Sequence, residues 1–223
     1  MVQSPSKRQS ADQRGATPRL RAVVTAVLLA AIGLFVIHTA ILALRAPWLV
    51  DDFPEALAVK AELLPWLFPL HMITGGLALI AVPLTLLLRR RARWHRLAGR
   101  ITAMIVLIAG LTAFPVALVA PVTPLSAWGF AAQGAIWLVL LGLGLWHGHH
   151  RRIAAHRAAM LFMAATTSGA LFFRIYLALF AIWGDARHYE AFYALNAWLA
   201  WSVPLLAMAV FLKRTGALAR DLR

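Results

Sequence analysis

Five residues of this chain carry an ionisable side chain in a setting that could do chemistry: His38, His71, His95, His156 and Arg174. His38 and His71 each lie about six residues inside an apolar run, roughly 9 Å deep at 1.5 Å per residue. Arg174 lies about nine residues inside another, roughly 14 Å deep. Ionisable groups within a bilayer are costly, and they face a cavity or the bundle interior. Two imidazoles from different helices ligate a haem iron axially, and arginines pair with the propionates. His38 with His71, and Arg174 nearby, would suit an outer haem b site. His95 with His156, amid Arg96 and Arg157, would suit an inner one. Together they would make a transmembrane electron-transfer or quinone-linked redox protein. The plainer reading gives His38 a hydrogen bond to a neighbouring helix and makes His95 and His156 interfacial residues of basic loops.

Helical phase ties some of these residues together. Arg174 follows His156 by 18 residues, or five turns, so the two share a face with Met160, Met163, Thr167 and Ala170 between them. The face around His71 carries Gly75 and Ala78, with Gly76 adjacent, which lets a helix backbone or a flat cofactor approach closely. His147, His149 and His150 cluster beside Trp146, but neighbouring histidines on a helix diverge and no thiol or carboxylate joins them, so a solvated loop accounts for them better than a metal.

The elements that must position these residues are six apolar spans: Leu20–Leu44, Trp66–Leu88, Ile101–Ala120, Ala127–Trp146, Ala155–Trp183 and Ala191–Leu212. Each is long enough to cross a bilayer, which takes about 20 residues. Basic residues fall in alternate loops: Lys7 to Arg21 in the first tail, Arg89 to Arg100, Arg151 to Arg157, and Lys213 to Arg223. The other loops hold only Arg45, Lys60 and Arg187, together with six of the eight acids. The positive-inside rule therefore puts both termini in the cytoplasm. The expectation is an all-α six-transmembrane-helix bundle, N-in and C-in, in the inner membrane of a bacterium. Residues 1–19 read as a disordered basic tail, 20–212 as the membrane domain and 213–223 as a short basic tail.

Short loops imply an up-down bundle. Pro47, Pro54 and Pro65 mark the longest outer loop, which has room for a surface helix. Pro115, Pro121 and Pro124 predict a kink or an early end to the third span. Arg90, Arg91, His95 and Arg96 repeat as Arg151, Arg152, His156 and Arg157. Spans two-three and four-five then form two hairpins of parallel topology about an axis along the membrane normal. The repeat mate of His71 is Ala132, beside Gln133, so the outer half has no second imidazole.

Composition excludes several classes. The net charge of +14 sits in short loops, where topology and anionic lipid explain it, so nucleic acid is not a partner. With no cysteine there is no disulfide, thiolate site, iron–sulfur cluster or covalent c-type haem. No Gly-rich phosphate loop, nucleophile elbow or zincin motif appears. No Asp or Glu lies within a span, which argues against proton-coupled transport through carboxylates.

From about His71 to Phe211 the chain resembles DUF2306, an uncharacterised family of bacterial membrane proteins. The resemblance rests on His71 in LHMITGGLALIAVPL, the RRRARWHRLAGRI loop with His95, Arg96, Gly99 and Arg100, and AAHRAAM with His156 and Arg157. Arg174, and Trp198, Trp201 and Pro204 in AWLAWSVPLL, complete it. The family often follows this last segment with Asn and then Glu; here Leu205 to Val210 is wholly apolar, so no role needing a carboxylate on span six carries over. The resemblance implies a membrane domain over about residues 66–212 and no established activity. In span number and histidine placement the chain is also similar to cytochrome b561-like proteins, an analogy of layout. Two functions stand side by side: a haem-b redox protein using His71, His95, His156 and His38 with Arg174, or a non-redox protein binding or transporting a small molecule or lipid around His71 and Arg174.

Overall fold

The computed structural model describes residues 6–45, 48 and 55–215. Among these there is no strand, and six stretches are long and apolar enough to cross a membrane: Ala22–Arg45, Leu67–Arg90, Ala92–Leu118, Pro124–His149, Ile153–Trp183 and Ala186–Arg214. All match the expected spans to within a few residues except at the start of the third and sixth, where the helix begins earlier in the loop. The chain divides into two units, Met1–His38 and Thr39–Arg223. Helix α1 runs Ser6–Arg45; residues 1–5 and the C-terminal tail beyond residue 215 lie outside the described residues.

In the second unit α2 (Glu55–Leu63) is the short helix expected in the longest loop. It leads to α3 (Leu67–Leu87), α4 (Ala92–Leu118), α5 (Pro124–His149), α6 (Ile153–Thr167), α7 (Gly169–Trp183) and α8 (Tyr189–Arg214). Consecutive helices pack as hairpins, α3 also meets α6, and α8 returns along α5, α6 and α7. Ala78 and Val82 of α3, Val106 and Ala109 of α4, Trp137 and Leu141 of α5 and Met163 of α6 form one buried cluster. The outer faces are the reverse of a soluble protein's: Leu84, Leu111, Val139, Leu206 and Val210 are exposed. Lipid is as apolar as leucine, so such bundles close through small residues and hydrogen bonds rather than by hiding aliphatic side chains. Gly129 shows the small-residue part, since a Cβ there would stand 3.0 Å from the Ala197 backbone of α8.

The α4–α5 turn follows from its prolines. Pro115 lies within α4, which stops at Leu118, and Ala120 turns the chain with φ 41°, a left-handed conformation that costs a β-carbon-bearing residue roughly 1 kcal/mol. Pro124 then opens α5 behind a Thr123 cap that exchanges hydrogen bonds with Ser126.

Span five is interrupted although it contains no proline. Thr166, Thr167 and Ser168 turn their hydroxyls onto the carbonyls of Phe162, Met163 and Ala165 at 3.0, 2.9 and 2.6 Å. Back-bonding of this kind bends helices, and the helix resumes as α7 at Gly169. A Cβ on Gly169 would meet the Gln133 amide at 2.7 Å and Trp201 Cβ at 2.9 Å, so a larger residue would push α7 from α5 and α8.

His95 and His156, the repeat mates, are both the fourth residue of their helices, α4 and α6. His95 Nδ1–H donates to the Thr85 carbonyl at 3.0 Å, and His156 Nδ1–H to the Gly144 carbonyl at 2.7 Å. Each histidine thus ties the start of an outgoing helix to the end of the incoming one. The shared geometry gives the sequence repeat a structural counterpart.

Candidate functional site

His71 stands on the second turn of α3. Its Nδ1 lies 3.0 Å from the Ala109 carbonyl and 3.3 Å from Thr112 Oγ1. A carbonyl only accepts, so Nδ1 carries the hydrogen and Nε2 keeps its lone pair. His71 is half-buried and opens onto a cavity of about 250 Å³. Below it, Met72, Gly75, Gly76 and Leu79 continue the same lining along α3. Gly76 also takes α1 at close quarters, a Cβ there coming to 3.0 Å from the Ala40 carbonyl.

Arg174 reaches the same cavity from α7. One guanidinium N–H donates to the Ala170 carbonyl of its own helix at 2.9 Å, and no other hydrogen bond from Arg174 to a described residue forms. Among the described residues no Asp or Glu lines the cavity, and the ion pair they contain, Asp185–Arg187, is exposed in the α7–α8 turn. Side-chain and backbone hydrogen bonds from Arg187, three in all, hold the Asp185 carboxyl below its ordinary range. An arginine at the centre of an inserted helix costs about 2.5–3.5 kcal/mol, so a cation without a counter-charge among the described residues is an expensive lining.

Lys60 is the second cation. It comes from α2, is only 7% exposed, and donates to the Val116 and Val119 carbonyls at 2.8 and 2.5 Å. It thereby closes the C-terminus of α4, where carbonyls lack partners and the helix dipole favours positive charge. Burial pushes its ammonium below the ordinary value of 10.5. The unfolded chain then binds this proton more tightly than the folded one. Relative to Lys60→Met, wild-type stability should be greatest above about 10.4 and fall as pH drops through the lowered folded value. Thermal unfolding of both proteins between pH 8 and 11 checks this; parallel curves would contradict it.

The remaining wall is aromatic and amide. Phe130, Phe173 and Tyr193 pack edge to face with centroids 5.2 to 6.0 Å apart, and all three face the cavity. Gln133 donates to the Thr166 carbonyl at 3.1 Å across the interruption of span five, and Trp137 Nε1–H to Thr167 Oγ1 at 2.9 Å. Of the residues singled out in the sequence, the structure brings His71 and Arg174 together on this cavity. His95 and His156 do not line it, and His38 is an exposed residue of the N-terminal unit. Thr167 and Ala170 of the stripe above Arg174 do line it, while Met163 is buried in the core.

Lys60, Gln133, Trp137 and Tyr193 were not singled out from sequence. Phe130, Gln133, Gly134 and Trp137 are spaced i, i+3, i+4, i+7, the signature of one helical face, and that face turns inward. Lys60 gave no such signal, because its burial depends on where α4 ends. Among the described residues no group of three His, Asp or Glu could hold a metal ion. His150 bonds the Trp146 carbonyl at 2.8 Å, and the Arg152 guanidinium stands 4.9 Å above the Trp146 ring.

No curated protein and no solved structure matches this chain. A family model does: that of DUF2306, described as a predicted membrane protein, matches residues 68–212, from the start of α3 to the end of α8. With more than half of its length matched, and with every residue of the α3–α8 bundle around the cavity inside that match, the chain belongs to the DUF2306 family of predicted membrane proteins.

Proposed function

We propose that this chain is a multi-pass protein of a bacterial cytoplasmic membrane, with both termini cytoplasmic, that holds a small molecule or lipid in the cavity around His71 and Arg174. The alternation of arginine-rich and arginine-poor loops supports the orientation. The observation that carries the binding reading is that two intramembrane ionisable residues from different helices, α3 and α7, open onto one largely apolar cavity. Such cavities with a few convergent polar groups are where ligands bind. The test is thermal unfolding of delipidated protein with and without an extract of the host membrane. A ligand at 100 times its Kd would add about 2.7 kcal/mol, which for a chain of this size raises Tm by roughly 5 °C or more. The same rise in Arg174→Leu, or none in wild type, would contradict the reading.

A second reading, haem b, has one observation in its favour. His71, His95 and His156 each donate Nδ1–H to a backbone carbonyl, the arrangement that leaves Nε2 free and fixes a ligating imidazole. A quinone would be the redox partner. An absorption spectrum of the purified protein decides it. A Soret band that shifts with dithionite and disappears in His71→Ala or His156→Ala would support haem; a featureless spectrum after growth with ample haem would remove it.

A further inference from the structure

We infer that the cavity ligand is an oxyanion on an apolar body, a carboxylate or phosphate head whose charge is met by Arg174 and Lys60 and whose tail lies against the aromatic wall. The inference rests on the binding reading above and names its ligand class. Three features point the same way. First, among the described residues the cavity lining holds two cationic side chains and no carboxylate, so the described lining is positively charged, and burial strengthens the pull of that charge on an anion. An anion is attracted there and a cation excluded.

Second, Arg174, Lys60 and Tyr193 all carry donors left without partners among the described residues, beside the free Nε2 lone pair of His71. A guanidinium has five N–H donors, of which Arg174 commits one to a described residue. An ammonium has three, of which Lys60 commits two to the end of α4. The Tyr193 hydroxyl makes no hydrogen bond to a described residue and faces the same space. An oxyanion accepts from all of these, and the planar fork of an arginine suits both carboxylate and phosphate. Helix capping accounts for the burial of Lys60 but not for that of Arg174, which among the described residues bonds a carbonyl of its own helix.

Third, most of the rest of the lining is apolar, with Phe130, Phe173, Leu79 and Val116 among it. A free inorganic anion would leave that surface facing water. At about 250 Å³ the cavity is below the roughly 300–1,000 Å³ of sites that enclose a drug-sized molecule. It therefore suits a small amphiphile or the head end of a longer one.

Isothermal titration of the full chain in a neutral maltoside detergent at pH 8 tests this with four probes: decanoate, decyl phosphate, decanol and inorganic phosphate. One or both acidic amphiphiles should bind at least tenfold more tightly than decanol, and which head prevails identifies the source of the anion. Arg174→Gln should bring acid and alcohol to within about threefold of each other, Arg174→Lys should keep the preference, and Lys60→Met should weaken acid binding several-fold. If Arg174→Gln does not fold, the wild-type acid-to-alcohol ratio and Lys60→Met decide the matter. Decanol binding as tightly as decanoate and decyl phosphate would overturn the oxyanion while leaving the cavity reading intact. Inorganic phosphate binding as tightly as decyl phosphate would overturn the apolar body. No binding by any of the four would overturn both readings.

Discussion

Trp137→Ala will loosen the bundle by roughly 3 kcal/mol, the lower end of what large aromatic-to-alanine changes cost in soluble cores. The lower end applies because a lipid-like surrounding removes the water-transfer part of that cost and leaves the cavity part. Trp137 is 9% exposed, belongs to the cluster in which α3, α4, α5 and α6 meet, and also borders the cavity lined by His71 and Arg174. Its removal merges a hole in the core with that cavity. The loss extends to the interruption of span five, because Trp137 Nε1–H bonds Thr167 Oγ1, which itself turns back onto Met163. Trp137→Phe separates the two effects. It keeps most of the packing and should cost about 0.6–1 kcal/mol for the hydrogen bond alone. Unfolding of the three proteins in mixed detergent, followed by near-ultraviolet dichroism, gives the ranking. Equal stabilities for Trp137→Ala and Trp137→Phe would show that the ring is not filling the centre of the bundle.

Arg174→Leu should do two opposite things. Without ligand it should stabilise the protein by about 1–3 kcal/mol, because a half-buried cation with no acid beside it among the described residues is exchanged for an aliphatic side chain. The hydrogen bond it gives up is to Ala170 of its own helix, whose carbonyl belongs to the α7 backbone. With ligand the change should remove the stabilisation that the wild type gains. A residue kept at a cost to stability is a mark of function, and the paired unfolding curves measure both halves. A less stable apo Arg174→Leu would mean that the guanidinium holds helices together instead of waiting for an anion.

The membrane fold was legible in sequence because apolar span length is fixed by bilayer thickness, and so was the short helix in the longest loop. The interruption of span five was not. The prolines of spans two and six, Pro83 and Pro204, lie inside continuous helices, while the proline-free run Thr166-Thr167-Ser168 bends because three adjacent hydroxyls compete for backbone carbonyls. Depth in the bilayer singled out His38, His71 and Arg174; His71 and Arg174 reach the cavity, whereas His38 is exposed. His95 and His156 stood out through the repeat instead, and their Nδ1 atoms tie the α3–α4 and α5–α6 hairpins. Lys60 escaped notice because it sits in a loop by sequence. Only the end of α4 at Leu118 and the turn at Ala120 bring carbonyls within its reach.

Native mass spectrometry of the protein released from mild detergent, wild type beside Arg174→Leu, puts the central claim to the most direct test. The account predicts one acidic amphiphile bound per wild-type chain and absent from Arg174→Leu. A bare wild-type protein, or the same neutral lipid retained equally by both, would contradict it.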